Sequence, residues 1–410
     1  MSAGVVIIGA GHAGGAMAAA LRQSGYADPI TLIGEEPVAP YQRPPLSKAW
    51  LKGEAQQADL LLRPDSFYAE KSIGLRTGIR VASIDRAVRT VRLADGESVP
   101  YEHLVIATGS RLRKLDVPGI DTPGVLELRT LADAERIRAA LRPGIRLAIV
   151  GGGYIGLEVA ASARSLGAEV VVIERESRLL ARVASPELSA FFERCHRDHG
   201  VAIELGASVS GFESRDGQVC AVRLADGRSL PCEVAVVGIG AQAQDGLAAQ
   251  AGLSCRDGIV VDELCRTSDP SIHAIGDCTQ RPLPRYGASM RLESVPNALE
   301  QARQAAADVC GKPAVKSDVP WFWSDQYDVR LQIVGLPRDV ASKVVRGDPS
   351  AGKFCVLHLD ADGVLQALEA VNSPGEFAAA RQWVGARQLI DPTRAADTRL
   401  LPKQIIEVPA

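Results

Sequence analysis

Uninterrupted apolar runs, each released into glycines, set the rhythm of this chain. Val5-Val6-Ile7-Ile8 carries no polar residue, which is the pattern of a parallel strand covered on both faces. It leads into Gly9-Ala10-Gly11-His12-Ala13-Gly14 and an alanine-rich stretch that predicts a helix through about Arg22. A second apolar strand, Ile30 to Ile33, follows, and Glu35 stands just beyond it. Residues 78–106 alternate as short strands of a meander with a turn at Asp95-Gly96, and Tyr101 to Ile106 reads as a buried strand ending in Ala107-Thr108-Gly109. The same order then recurs. Leu147 to Val150 runs into Gly151-Gly152-Gly153-Tyr154-Ile155-Gly156, Val170 to Ile173 ends in Glu174, and Val234 to Val237 ends in Gly238-Ile239-Gly240.

The remaining segments frame these two repeats. Pro118-Gly119 and Pro123-Gly124 are linker-like, and a helix is predicted near Leu131 to Leu141. Thr267 to Asp277 gives a turn, a short strand and a terminal carboxylate. Pro296 opens a helix that runs from Asn297 to about Cys310. After residue 320 the texture changes to short strands near 329–334, 342–346, 353–359 and 364–371, then a helix from about Glu376, as in a separate α+β domain.

The glycine spacing carries chemistry. Gly9 permits a tight turn, Gly11 lets backbone approach a pyrophosphate, and Gly14 lets helix and strand pack closely. Gly151, Gly153 and Gly156 repeat these roles. Helix N–H groups then face the phosphate charge. Glu35 and Glu174 stand where a carboxylate can bond a ribose hydroxyl. Two fingerprints imply two dinucleotides, and the economical pair is a flavin adenine dinucleotide with a nicotinamide dinucleotide. The expected fold class is therefore α/β: two Rossmann-like dinucleotide-binding domains, for FAD and NAD, plus the C-terminal α+β domain. The domain reading is 1–110 and 242–319 for FAD, 111–241 for NAD, and 320–410 for a C-terminal interface domain.

Composition narrows this further. At 410 residues, two or three domains are expected, and a net charge of −3 gives no general attraction to nucleic acid. No apolar run reaches membrane-spanning length, and no basic region precedes the first apolar run, so no membrane association and a cytoplasmic location are the expectation. The eight cysteines form neither a CxxC pair nor a ligand cluster, so no metal and no redox dithiol are expected. None of them lies in residues 40–52, where a flavoenzyme of the disulfide reductase type would need a pair and one of the coenzyme A type a single cysteine. The stretch Tyr41 to Lys48 is either a solvated turn or a cofactor contact, with Arg43 on the pyrophosphate and Lys48 approaching the flavin.

The blocks GAGHAG, RPPLSK, ATGS, GGGYIGLE, SIHAIGDC, ESVPNALEQA and PWFWSDQ occur in the order seen in the flavin-dependent NADH:ferredoxin reductases of bacterial oxygenase systems, which this chain resembles over nearly its whole length. The resemblance implies that Ala13, Glu35, Arg43, Lys48, Val81, Ala107, Thr108, Gly109, Arg129, Asp277 and Val295 lie near FAD. Val295 would offer its N–H to the flavin pyrimidine edge, where a helix N-terminus stabilises the negative charge of the reduced ring. NADH would reduce FAD, which would pass electrons to a two-iron two-sulfur ferredoxin serving a haem monooxygenase or Rieske-type dioxygenase. Rubredoxin reductase and a redox-sensing flavoprotein similar to apoptosis-inducing factor are the alternatives.

Three finer expectations follow. Glu174 favours NADH over NADPH, although Arg175 or Arg178 could bind a phosphate. Lys48 and Glu158 should pair beside the flavin. Trp321 and Trp323 share a face if their segment is extended, as a plug between domains or, as the resemblance implies, with Trp323 on the ferredoxin side. Arg43, Arg63 and Arg303 are candidates for a basic docking patch.

Overall fold

A computed structural model describes residues 3–406. The chain divides into two compact units. The first comprises the chain up to Arg43, Gln56–Arg111 and Ala241–Asp318; the second comprises Pro44–Ala55, Leu112–Gly240 and the chain from Val319 onward.

In the first unit a parallel sheet has the order Ile272–Ala274, His103–Ile106, Val5–Ile8, Ile30–Ile33, Ile73–Arg76. Val5 pairs with both Ile30 and His103, so the glycine turn leaves the middle strand with a neighbour on each side. The strand predicted from Tyr101 starts at His103, and Tyr101 is buried in the core beside the sheet. The apolar strands are covered twice. Helices His12–Gln23 and Val295–Val309 bury Met17, Leu21, Ala302 and Ala305 against one face. The antiparallel meander Val81–Asp85, Thr90–Leu93, Ser98–Pro100 covers the other with Val91 and Leu93. Burial of this kind contributes about 25 cal/mol per Å² of apolar surface, which is why the central strand Val5–Ile8 carries no polar residue.

The second unit holds a parallel sheet in the order Ala202–Leu205, Glu169–Glu174, Arg146–Val150, Val234–Val237, Val125–Glu127. It also holds an antiparallel sheet in the order Trp321–Gln326, Val329–Gly335, Leu365–Val371, Lys353–Leu359, Ser342–Asp348. Helix Pro374–Ala386 packs on the latter with Ala380 and Val384 against Val334 and Leu368. This helix starts two residues before Glu376, because Pro374 is tolerated in a first turn where no N–H is needed. Pro44–Ala55, read from the sequence as part of the first domain, belongs to the second unit. Its short helix Ala49–Lys52 packs against helices Leu131–Ala140 and Tyr154–Ser165.

Candidate functional site

The first unit builds one cradle. Gly9 has φ +110°, and a Cβ there would lie 2.2 Å from the Ala107 carbonyl oxygen. A Cβ on Gly14 would lie 1.9 Å from the Gly9 oxygen. Both glycines are required by the protein itself. Gly11 is different: a Cβ there would meet no atom within 4 Å beyond its own chain neighbours, so the packing of the protein does not require a glycine here and the space beside the turn is open. Gly11 caps helix His12–Gln23 without a side-chain acceptor, and the first turn has no acidic residue, leaving the positive end of the helix to an anion.

Around this turn the tertiary fold gathers two further segments. Thr108 Oγ1 donates to the Gln244 carbonyl at 2.6 Å, and Gln244 N–H donates to the Gly109 carbonyl at 2.9 Å. Gly276 sits with its Cβ direction 3.0 Å from Ala13 Cβ, its N–H donating to Gln301 Oε1 at 2.8 Å, which brings the Gly276-Asp277 turn to the start of the fingerprint helix. Asp277 accepts a long 3.4 Å bond from Ser110. Glu35 is exposed past its strand. Val295 is the first residue of its helix, where the Ser294 hydroxyl accepts the Asn297 N–H. Arg43 donates to Glu36 at 2.6 Å and to the Tyr41 hydroxyl, so its charge is already balanced by a carboxylate that sequence reasoning missed. Val81 is a core position of the meander, paired with Leu93.

The second unit repeats the cradle. Gly151 has φ +112° and a Cβ there would lie 2.4 Å from the Gly238 oxygen; one on Gly156 would lie 2.3 Å from the Gly151 oxygen; one on Gly153 would meet nothing within 4 Å. Gly238, Ile239 and Gly240 thus stand to this turn as Ala107, Thr108 and Gly109 stand to the first. Glu174 accepts the Gly152 N–H at 2.7 Å on one oxygen and the Glu176 N–H at 2.8 Å on the other. Tyr154 donates to the Val183 carbonyl at 3.4 Å, and Ile155 leaves half its surface exposed. Arg175 is exposed and pairs with Glu176. Arg178 is partly buried, and it donates to the carbonyls of Ala181 and Ala184 and to Ser189 Oγ at 2.6–2.8 Å. The guanidinium ties the loop before helix Pro186–Asp198 to that helix.

A third feature is a partly buried ion pair. Lys48 Nζ lies 2.6 Å from Glu158 Oε2. Glu158 is 5% exposed, and its carboxylate also accepts from Ser47 Oγ at 2.5 Å and from Ser324 Oγ at 2.6 Å. Those two serines lie 111 and 166 residues away in sequence, and no local signal announces them. Arg129 donates its backbone N–H to Asp133 Oδ2 at 3.1 Å, at the start of helix Leu131–Ala140. Trp323 lies on the edge strand Trp321–Gln326 beside Trp321, ring centroids 5.6 Å apart, so the two share a face.

Two open cradles, each with a carboxylate after the second strand, fit two dinucleotides, and comparison with known proteins agrees. Residues 3–302 match the family described as pyridine nucleotide-disulphide oxidoreductase, and residues 321–405 match the reductase C-terminal family. This chain belongs to the pyridine nucleotide-disulphide oxidoreductases. It is 50% identical over 397 residues to the probable ferredoxin reductase CtmF of Castellaniella defragrans, covering 97% of each chain. It is 44% identical to putidaredoxin reductase CamA of Pseudomonas putida, over 98% of this chain and 96% of that one. Among solved structures, the covalent putidaredoxin reductase–putidaredoxin complex superposes with a TM-score of 0.95 at 42% identity, over 98% of this chain and 97% of the other. As a member of the pyridine nucleotide-disulphide oxidoreductases the protein is an oxidoreductase that uses FAD and a nicotinamide dinucleotide, and the resemblance to ferredoxin reductases holds across the chain.

Proposed function

We propose that this flavoprotein passes electrons from NADH through FAD to a two-iron two-sulfur ferredoxin, which serves a haem monooxygenase or a Rieske-type dioxygenase in the cytoplasm. The observation that carries the choice of NADH is the Glu174 carboxylate on the second fingerprint, with Arg178 consumed by its own loop. The acceptor class rests on relatives named for putidaredoxin and for dioxygenase ferredoxins.

FAD, when bound, supplies the junction between two-electron and one-electron chemistry. This chain's residues bind and orient. Gly9, Gly11, Ala13 and Gly14, with Ala107 to Gly109, admit the FAD pyrophosphate, and Glu35 takes its adenosine ribose. Asp277 takes the ribityl or pyrophosphate region and the N-terminus at Val295 the flavin pyrimidine edge, with Arg43 on the pyrophosphate and Val81 and Arg129 as supporting contacts. Gly151, Gly153, Tyr154, Ile155, Gly156 and Gly238 to Gly240 receive NADH, with Glu174 on its ribose. Lys48 and Glu158 serve hydride transfer as a charge-balanced pair, and Trp323 serves delivery to the ferredoxin. On this reading 1–110 with 242–319 bind FAD, 111–241 bind NAD and 320–410 form the interface domain, apart from Pro44–Ala55, which belongs to the second unit.

The test is to purify the yellow protein and compare NADH- and NADPH-driven reduction of several two-iron ferredoxins and a rubredoxin. Faster turnover with rubredoxin, or equal efficiency with NADPH, would overturn the corresponding half of the proposal.

A further inference from the structure

The edge strand Trp321–Gln326 has two unlike faces. Trp321 and Trp323 occupy one. On the other, alternate residues meet helix Tyr154–Ser165 at matching intervals. The Phe322 ring lies 4.6 Å from that of Tyr154, and Ser324 Oγ donates to Glu158 at 2.6 Å. The match is geometric, because residues two apart on a strand repeat every ~6.6 Å and residues four apart on a helix every ~6 Å. Ser324 has no exposed surface and is itself held from behind: its oxygen accepts Gln326 Nε2 at 3.2 Å, and Gln326 Oε1 faces His196 Nε2 at 2.8 Å. A continuous polar chain therefore runs His196, Gln326, Ser324, Glu158, Lys48.

Tyr154 and Glu158 stand on the first turns after Gly153, so this strand fixes the orientation of the helix that opens the second cradle. A carboxylate held only by Lys48 and Ser47 retains rotation about its last torsion, because both partners bond the same oxygen. Ser324 takes the other oxygen and removes that freedom. From this we infer that Ser324 is a positioning residue for the Lys48–Glu158 pair, so the C-terminal sheet helps build the NADH half-reaction as well as meeting a partner protein. The inference rests on the reading that the pair serves hydride transfer.

Two variants separate the inference from that reading. Lys48→Met tests the reading: anaerobic mixing with excess NADH should bleach its flavin far more slowly than wild type, and wild-type bleaching would overturn the role of the pair itself. Ser324→Ala tests the inference. Its bleaching at saturating NADH should fall by about tenfold, or about 1.4 kcal/mol of barrier. Its delivery of electrons to a two-iron ferredoxin after chemical reduction should not change. Ser324→Thr, which keeps the hydroxyl, should restore most of the loss. Normal bleaching in Ser324→Ala, equal slowing of both half-reactions, or no rescue by threonine would overturn the assignment while leaving the Lys48→Met result standing. If Ser324→Ala fails to retain flavin, Gln326→Met removes the bond behind the serine and should slow bleaching by a smaller factor; an unchanged rate there would overturn it too.

Discussion

The Glu174 carboxylate accepts the N–H of Gly152, the second residue of the fingerprint turn, at 2.7 Å. A side chain at the end of one strand thereby fixes the turn that follows its neighbour, and on the proposed NADH reading it presents a negative charge to the adenosine ribose. A 2′-phosphate in that position meets like charge. Two unit charges ~4 Å apart at an effective dielectric of ~20 repel by roughly 4 kcal/mol before screening.

NADH should therefore be preferred to NADPH by on the order of 10²-fold in kcat/KM. Glu174→Ala should narrow that gap mainly by raising kcat/KM for NADPH, with some loss for NADH because it also releases the turn. Arg178→Ala should leave the preference unchanged and lower the melting temperature, because this guanidinium holds Ala181, Ala184 and Ser189. Steady-state kinetics with both nucleotides and thermal melts check the pair of outcomes. A Glu174→Ala enzyme with undiminished discrimination would contradict the electrostatic account.

Gly153 and Gly156 should part company when replaced. Gly156→Ala drives a methyl to 2.3 Å from the Gly151 oxygen and should cost about 1–3 kcal/mol of stability. Gly153→Ala finds open space in the protein, so the fold should melt as wild type while NADH binding collapses. Thermal melting alongside NADH titration reads both. Tight NADH binding by Gly153→Ala would remove this glycine from the phosphate cradle.

Acceptor docking should be electrostatic and local. Arg303 is exposed on helix Val295–Val309, Arg63 stacks over Phe67, and Arg43 is already matched by Glu36, so Arg303→Glu should have a larger effect than Arg43→Glu. Ferredoxin reduction should fall steeply as salt rises past 0.1 M, where the screening length is ~10 Å, while ferricyanide reduction changes little. Trp323→Ala should slow the ferredoxin half-reaction more than flavin reduction by NADH. Salt-independent turnover with ferredoxin would end the docking proposal, and equal slowing of both steps would return Trp323 to packing.

His196 should give the fold an acid limit. It has no exposed surface, and burial pushes its imidazole down to about 4; Gln326 works against that shift and His199 adds to it. The unfolded chain binds a proton near pH 6.5 that the folded chain refuses until about pH 4. The stabilisation is thus complete above 6.5 and is lost as pH falls through that window, by up to roughly 3 kcal/mol. Denaturation curves from pH 7 to 4 should show this slope, and His196→Gln should flatten it. The same slope in the variant would assign the acid limit to other groups.

By itself, the sequence determined what is set locally. Apolar runs too uniform for a one-faced strand specified the parallel sheets, and glycine spacing specified the two turns, because only glycine takes φ above +100° against a carbonyl 2.2–2.4 Å from the Cβ position. Family blocks in order made the flavoprotein class legible. Tertiary structure alone decided which side chains share a charge. Glu36 on Arg43, the Arg178 guanidinium on its own loop, and Ser47 with Ser324 on Glu158 join residues whose own neighbourhoods read as ordinary turns and strands. It also decided that Pro44–Ala55 leaves its sequence neighbours for the second unit. The physical reason is the same in each case. Backbone conformation and burial pattern are fixed over a few residues by sterics and hydrophobicity, whereas a buried charge must find partners wherever the completed fold brings them.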